Sequence, residues 1–206
     1  AFVEAIKQVL RPDGVWIVQF QHEASILKQN AFDYWCHEHL CLYDLATFDE
    51  VIRHHGLGIR KVERNSVNGG SIRFHVEHRK RTEPDFDVKP EEQISTWAAF
   101  AGRALQLREQ ALDWFAANPL DAVHGVAAST KANTVLQWYG FDERHIYAIV
   151  ERDPQKVGRL TVGSNIPIIG ESDDHAYKPD YYLALAWQFL DGFRERYPDM
   201  PFLTLL

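Results

Sequence analysis

From residue 122 onward, short β-rich runs alternate with helix-patterned stretches, and this alternation constrains the chain more than any other feature. Runs at 122–127, 146–151, 166–169, 181–187 and 202–206 have the apolar, β-branched and aromatic content of buried strands. Residues 130–139 and 189–196 carry helical spacing between them. Strands separated by helices pair in parallel through right-handed crossovers, so residues 119–206 are expected to form one α/β domain.

The first part of the chain has a different rhythm. Phe2, Ile6, Val9 and Leu10 recur at helical spacing, and Pro12-Asp13-Gly14 turns the chain into a strand at 15–20. A second helix is expected at 45–55, closed by Gly56. Strands at 58–65 and 71–78 follow, joined through Asn68-Gly69-Gly70, a strong hairpin signal. The polar, proline-bearing stretch 82–89 reads as a linker, and 90–117 as one long helix. Its apolar stripe is Ile94, Trp97, Ala101, Leu105, Leu112 and Phe115, expected to face a core. Asn118-Pro119 ends it. Three regions result: 1–82, a linker and helix at 83–118, and 119–206.

A length of 206 residues with 46% hydrophobic and 25% charged residues is enough for a real core. The net charge of -7 argues against binding nucleic-acid backbones, and the short basic cluster His78-Arg79-Lys80-Arg81 reads as a solvated connector. No apolar run approaches the length of a membrane span. The two cysteines, Cys36 and Cys41, are no disulfide framework, so a reducing cytoplasm is the expected setting. The start at Ala1, in a helix that runs straight into a strand, reads as the interior of a longer protein.

Chemistry concentrates in Phe32-Asp33-Tyr34-Trp35-Cys36-His37-Glu38-His39, followed by Tyr43. A solvated loop has little reason to hold so many aromatics, and a packed core has little reason to hold His-Glu-His. The segment reads as a pocket wall. His39 is the expected general base, because imidazole accepts a proton near neutral pH without large tuning. Glu38 is expected to help position substrate or base, and His37 to support the loop. Cys36, His37, His39 and Cys41, with His22 upstream, also invite a metal reading, but they lack the pairwise spacing of zinc ligands. No metal site is expected.

A second site lies at Gly125-Val126-Ala127-Ala128-Ser129-Thr130-Lys131-Ala132-Asn133, where a strand gives way to a helix. Free backbone N–H groups there attract an anion such as a pyrophosphate, though Ser129 or Thr130 can equally be an N-cap. Neither a P-loop nor a standard dinucleotide fingerprint is present. Glu151 and Asp153, at the end of the next strand, can bond a ribose or remain solvated. Asn68-Gly69-Gly70-Ser71-Ile72-Arg73 reads as a tight turn, or as a loop tip from which Arg73 reaches an anionic group.

Together these segments resemble the S-adenosylmethionine-dependent sugar C-methyltransferases. The family pattern F-D-x-I-Y-H-E-H-x-x-Y is similar to residues 32–43, G-G-S-x-R to 69–73, and G-x-x-x-K-x-N-T to 125–134. Later runs at 153–158, 163–168 and 179–187 extend the resemblance over nearly the whole chain. It implies an α/β fold in which a partial class I methyltransferase-like sheet precedes a Rossmann-like nucleotide-sugar-binding domain. It also implies methylation at the carbon α to the ketone of a nucleotide-linked keto-sugar through an enolate. His39, Glu38 and Cys36 would then be catalytic, and His37, Tyr43, Arg73, Ser129, Thr130, Lys131 and Asn133 would bind substrate.

The chain departs from the family in two ways. The phenol that precedes His-Glu-His in the family is the thiol of Cys36 here, a weaker hydrogen-bond donor. The glycine-rich cofactor loop and the N-terminal cysteine-rich zinc site are absent. This polypeptide alone is therefore expected to bind S-adenosylmethionine poorly and to be inactive by itself. The open apolar edge of the strand at 15–20 is compatible with a homodimer. The rival expectation is a non-catalytic nucleotide-binding module in which the His-Glu-His loop is a remnant.

Overall fold

A computed structural model describes residues 1–79 and 96–204, apart from the side chain of His175. The chain divides into two compact units, residues 1–29 with 40–97 and residues 30–39 with 98–206. The segment 30–39, adjacent in sequence to the first unit, clusters with the second. The linker at 82–89, the start of the expected helix at 90, and Ile94 lie outside the described residues.

The first unit opens with α1 (Phe2–Val9), β1 (Trp16–Gln21) and α2 (Glu23–Gln29), and continues with α3 (Leu45–His54), β2 (Leu57–Asn65) and β3 (Ser71–His78). Its sheet has the order β1-β3-β2, with β3 antiparallel to both neighbours. Asn68 (φ 53°) and Gly69 (φ 84°) turn the chain between β2 and β3, a left-handed conformation that Asn and Gly adopt at low cost. Alternate residues Ile72, Phe74 and Val76 of β3 are fully buried against Phe48 and Ile52 of α3. Phe48 and Phe74 meet at 4.5 Å between ring centres, and Phe20 joins them at 5.1 and 5.2 Å. Asp44 caps α3 by accepting the Thr47 N–H at 2.7 Å.

Of the hydrophobes at helical spacing in the first segment, Leu10 packs on the core together with Val3, and Ile6 is half-buried, whereas Phe2 and Val9 are exposed.

The second unit begins its regular structure with α4 (Trp97–Ala117), then β4 (Val123–Val126), α5 (Thr130–Tyr139), β5 (Ala148–Glu151) and β6 (Ile168–Gly170). It ends with α6 (Glu171–Tyr177), β7 (Tyr181–Ala184), α7 (Leu190–Arg196) and β8 (Phe202–Leu203). The sheet is parallel throughout, in the order β6-β5-β4-β7-β8. The α/β class expected from the sequence is thus the class adopted. Strand order runs outward in one direction from β4 through β5 to β6, and in the other through β7 to β8. The switch point lies between β4 and β7, where open α/β sheets have a crevice outside the strands' carboxyl ends.

The stripe expected on α4 holds in its later turns, where Leu112 and Phe115 are half-buried and Phe115 lies 4.8 Å from the buried Phe141 between ring centres. It fails in the first turns: Phe100 and Ala104 are buried there, while Trp97, Ala101 and Leu105 are exposed. Ala111 is also buried, and a reading weighted towards large hydrophobes passes over such small residues.

Candidate functional site

The segment at 30–39 is built on a 3-10 turn, Phe32–Tyr34, whose three residues are all buried. A second turn follows, with the His39 N–H bonding the Cys36 carbonyl at 3.0 Å. This puts Cys36 inside, only 8% exposed, and leaves His37 and Glu38 exposed. His39 is half-buried, its ring stacked on Tyr34 at 4.3 Å between centres. Nδ1 of His39 lies 2.6 Å from the Tyr34 carbonyl oxygen and 3.5 Å from Cys36 Sγ. A carbonyl oxygen can only accept, so Nδ1 carries the proton and Nε2 keeps the lone pair.

The turn packs along α5 and reaches the 3-10 turn that follows β7. Phe32 packs its ring 5.7 Å from Tyr139 and 6.1 Å from Trp138, both near the end of α5. Asp33 is wholly buried. Its Oδ2 accepts from Trp187 Nε1 at 3.2 Å and lies 3.8 Å from Lys131 Nζ, while Oδ1 has no hydrogen-bond partner. Burial pushes the Asp33 carboxyl above the usual aspartate range, against the opposing pull of Lys131 and Trp187. Thr130 Oγ1 donates to Glu38 Oε1 at 3.2 Å. The structure thus brings Cys36, Glu38 and His39 together with Thr130 and Lys131. Asp33 and Trp187 are the residues that sequence reasoning missed: Asp33 was visible in the motif, but its partners lie 98 and 154 positions away in sequence.

Several groups at the start of α5 are engaged by internal partners. Ser129 is the N-cap, its hydroxyl accepting from the Ala132 N–H at 3.1 Å. Asn133 donates to the Ser129 carbonyl at 3.3 Å and accepts from the Val162 N–H at 3.2 Å. The Ala127 N–H bonds the Val150 carbonyl at 2.9 Å, and the Ala128 N–H bonds Glu151 Oε2 at 2.9 Å. Glu151 also accepts from the N–H groups of Arg152 (2.8 Å) and Asp153 (3.1 Å), so it is committed to its own backbone rather than open to a ribose. Asp153 accepts from the Gln155 N–H at 2.9 Å. Gly125 serves packing: a Cβ there would lie 2.5 Å from Ile149 Cδ1 and 2.7 Å from Leu185 Cδ1.

Tyr43 and Arg73 belong to the first unit. The Tyr43 ring sits 6.1 Å from Phe20, and its interaction with Cys41 pushes the phenol above its ordinary pKa. Arg73 lies within β3, not at a loop tip, and its Nε donates to Gln19 Oε1 at 3.0 Å. His22 is buried at the end of β1, with Nδ1 3.4 Å from Ser25 Oγ. Among the described residues, no three His, Cys, Asp or Glu side chains converge as metal ligands, and no helix is long and apolar enough to cross a membrane.

Residues 66–200 match the model of the C-methyltransferase C-terminal domain. The chain is also 29% identical over 202 residues to a protein of Streptomyces niveus named C-methyltransferase NovU. That alignment covers 91% of this chain but 47% of the relative, so the chain spans about half the relative's length.

Proposed function

The chain belongs to the C-methyltransferases by its C-terminal domain, and on that premise we propose that it supplies the proton-removing residue of a sugar C-methyltransfer. The substrate is a nucleotide-linked keto-sugar, methylated at the carbon next to the ketone. The observation that carries this reading is the His39 ring, with Nδ1 2.6 Å from the Tyr34 carbonyl oxygen. That bond orients the imidazole and commits the basic lone pair to Nε2.

Nε2 of His39 takes the proton from the α-carbon. The C–H electrons become the carbon–carbon π bond of an enolate, and the ketone oxygen takes the negative charge. Glu38, steadied by the Thr130 hydroxyl, stands next to the base and bonds a sugar hydroxyl or the protonated ring. The buried Cys36 sulfur lies 3.5 Å from Nδ1 of His39 and would help hold the ring.

The methyl donor, S-adenosylmethionine in this reading, supplies the electrophilic carbon. The residues present do not fit it: they include no glycine-rich strand-to-helix loop of the kind the family uses for this donor. The chain alone is therefore expected to bind the donor weakly, which calorimetric titration measures.

Proton removal can be followed without the donor. The chain is incubated in D₂O with a nucleoside-diphosphate keto-sugar, and NMR follows loss of the α-hydrogen signal. Exchange should occur, and H39N should slow it by about 100-fold or more. Equal exchange in H39N, or none in the unaltered chain, rejects the reading.

A further inference from the structure

We propose that the crevice at the carboxyl ends of β4 and β7 is the seat of the chain's own His-Glu-His turn rather than a phosphate pocket, with Asp33 as the positioning residue that holds His39 in place. The loops that follow the two central strands both reach Asp33. Lys131 comes from the first turn of α5 after β4, and Trp187 from the 3-10 turn after β7. This is the place where doubly wound sheets hold an anionic ligand. Here the anion is an internal carboxylate with 0% exposure.

Further contacts support the same reading. Phe32 anchors the turn on the ring of Tyr139. Thr130, the first residue of α5, gives its hydroxyl to Glu38. Glu151 takes the Ala128 amide, and the Ser129 hydroxyl takes the Ala132 amide. An incoming diphosphate would meet the carboxylates of Asp33, Glu38 and Glu151 around amides that are already bonded. Repulsion between like charges opposes its entry.

Asp33 sits in the buried turn immediately before Tyr34, the residue that positions His39. The groups around His39 are the Tyr34 ring and carbonyl, the Cys36 thiol and the adjacent Glu38. Holding Asp33 therefore holds Tyr34, whose ring and carbonyl oxygen set the orientation of the imidazole. This role rests on the reading of His39 as the base, but it can be measured without turnover.

The test uses the full chain labelled for imidazole NMR, with amide exchange at residues 36–39 as a second readout. D33N removes the carboxylate that Lys131 and Trp187 hold, so amide exchange at residues 36–39 should speed up by about 10-fold or more, and the His39 ring signals should shift while those of His124 stay in place. K131M and T130V should each speed amide exchange at residues 36–39, which keeps the proposal testable if D33N does not fold. Uridine diphosphate and inorganic pyrophosphate should bind K131M no more weakly than the unaltered chain. Unaltered exchange at residues 36–39 with unmoved His39 ring signals in D33N overturns the proposal. So does loss of pyrophosphate binding in K131M with exchange at residues 36–39 unaltered. Failure of the base assignment itself would show separately, as undiminished α-hydrogen exchange in H39N.

Discussion

His124 Nδ1 lies 2.6 Å from Asp174 Oδ1 in the interior of the second unit, each side chain 1% exposed. Tyr182 donates its hydroxyl to the other oxygen of Asp174, and the Tyr147 ring stacks on the imidazole at 5.6 Å. Burial, reinforced by the bond to Asp174, pushes the Tyr182 phenol far above its ordinary value, so it stays a donor at any working pH. Both carboxylate oxygens are therefore satisfied. Asp174→Asn leaves one amide facing two former donors and should cost about 3 kcal/mol. Urea denaturation followed by circular dichroism measures this, and a loss within experimental error would show that the network contributes nothing.

Gly125→Ala should cost about 1–3 kcal/mol through overpacking, because the new methyl meets the ends of Ile149 and Leu185. Both obstructing atoms are terminal methyl groups. Ile149→Val removes the nearer one, so the double variant should recover part of the loss. A double-variant cycle showing simple additivity would rule out this clash as the cause.

Glu151 accepts three backbone N–H groups and lies 3.5 Å from Lys156. Burial acts to raise its pKa, but the backbone donors and the lysine outweigh burial and leave it below the ordinary glutamate value. A carboxyl lowered on folding adds stability above its unfolded pKa, and that stability is lost as the pH falls through the folded value. Glu151→Gln should thus destabilise by about 1–2 kcal/mol near neutral pH. The gap should narrow on acidification below the ordinary glutamate range. A gap that stays constant or widens there contradicts the assignment.

Ile17 is 58% exposed on β1, the edge strand of the three-stranded sheet. An apolar side chain on an unpaired edge favours association through that edge. Ile17→Lys should reduce self-association in light scattering and leave the thermal midpoint nearly unchanged. Equal association in both proteins would place the contact elsewhere.

Local signals were legible, and long-range ones were not. The helix at 130–139 was read correctly because Ser129 is a good N-cap and Gly140, at φ 73°, a good C-terminal stop. The turn at Asn68-Gly69 was equally plain. The short helices α2 and α6 were not read, although α7, of the same seven residues, was. The inward face of α4 was legible at Leu112 and Phe115 but not in the first turns, where Phe100 and Ala104 pack rather than Trp97 and Leu105. At the candidate site, the residue types that point to proton transfer stood out as a cluster. Their anchor did not, because Lys131 and Trp187 are distant in sequence and a lysine at a helix start reads as a phosphate ligand.

The ten residues 30–39 are an excursion of the backbone from one unit into the other and back. With the later passage at 97 to 98, the polypeptide crosses between units three times. No single scission can release either half intact. A fragment beginning at residue 98 would lack the imidazole together with the buried aspartate beneath it, and a fragment ending there would carry both away from the helix that seats them. Dissection of this protein therefore calls for a transplanted loop or a circular permutation.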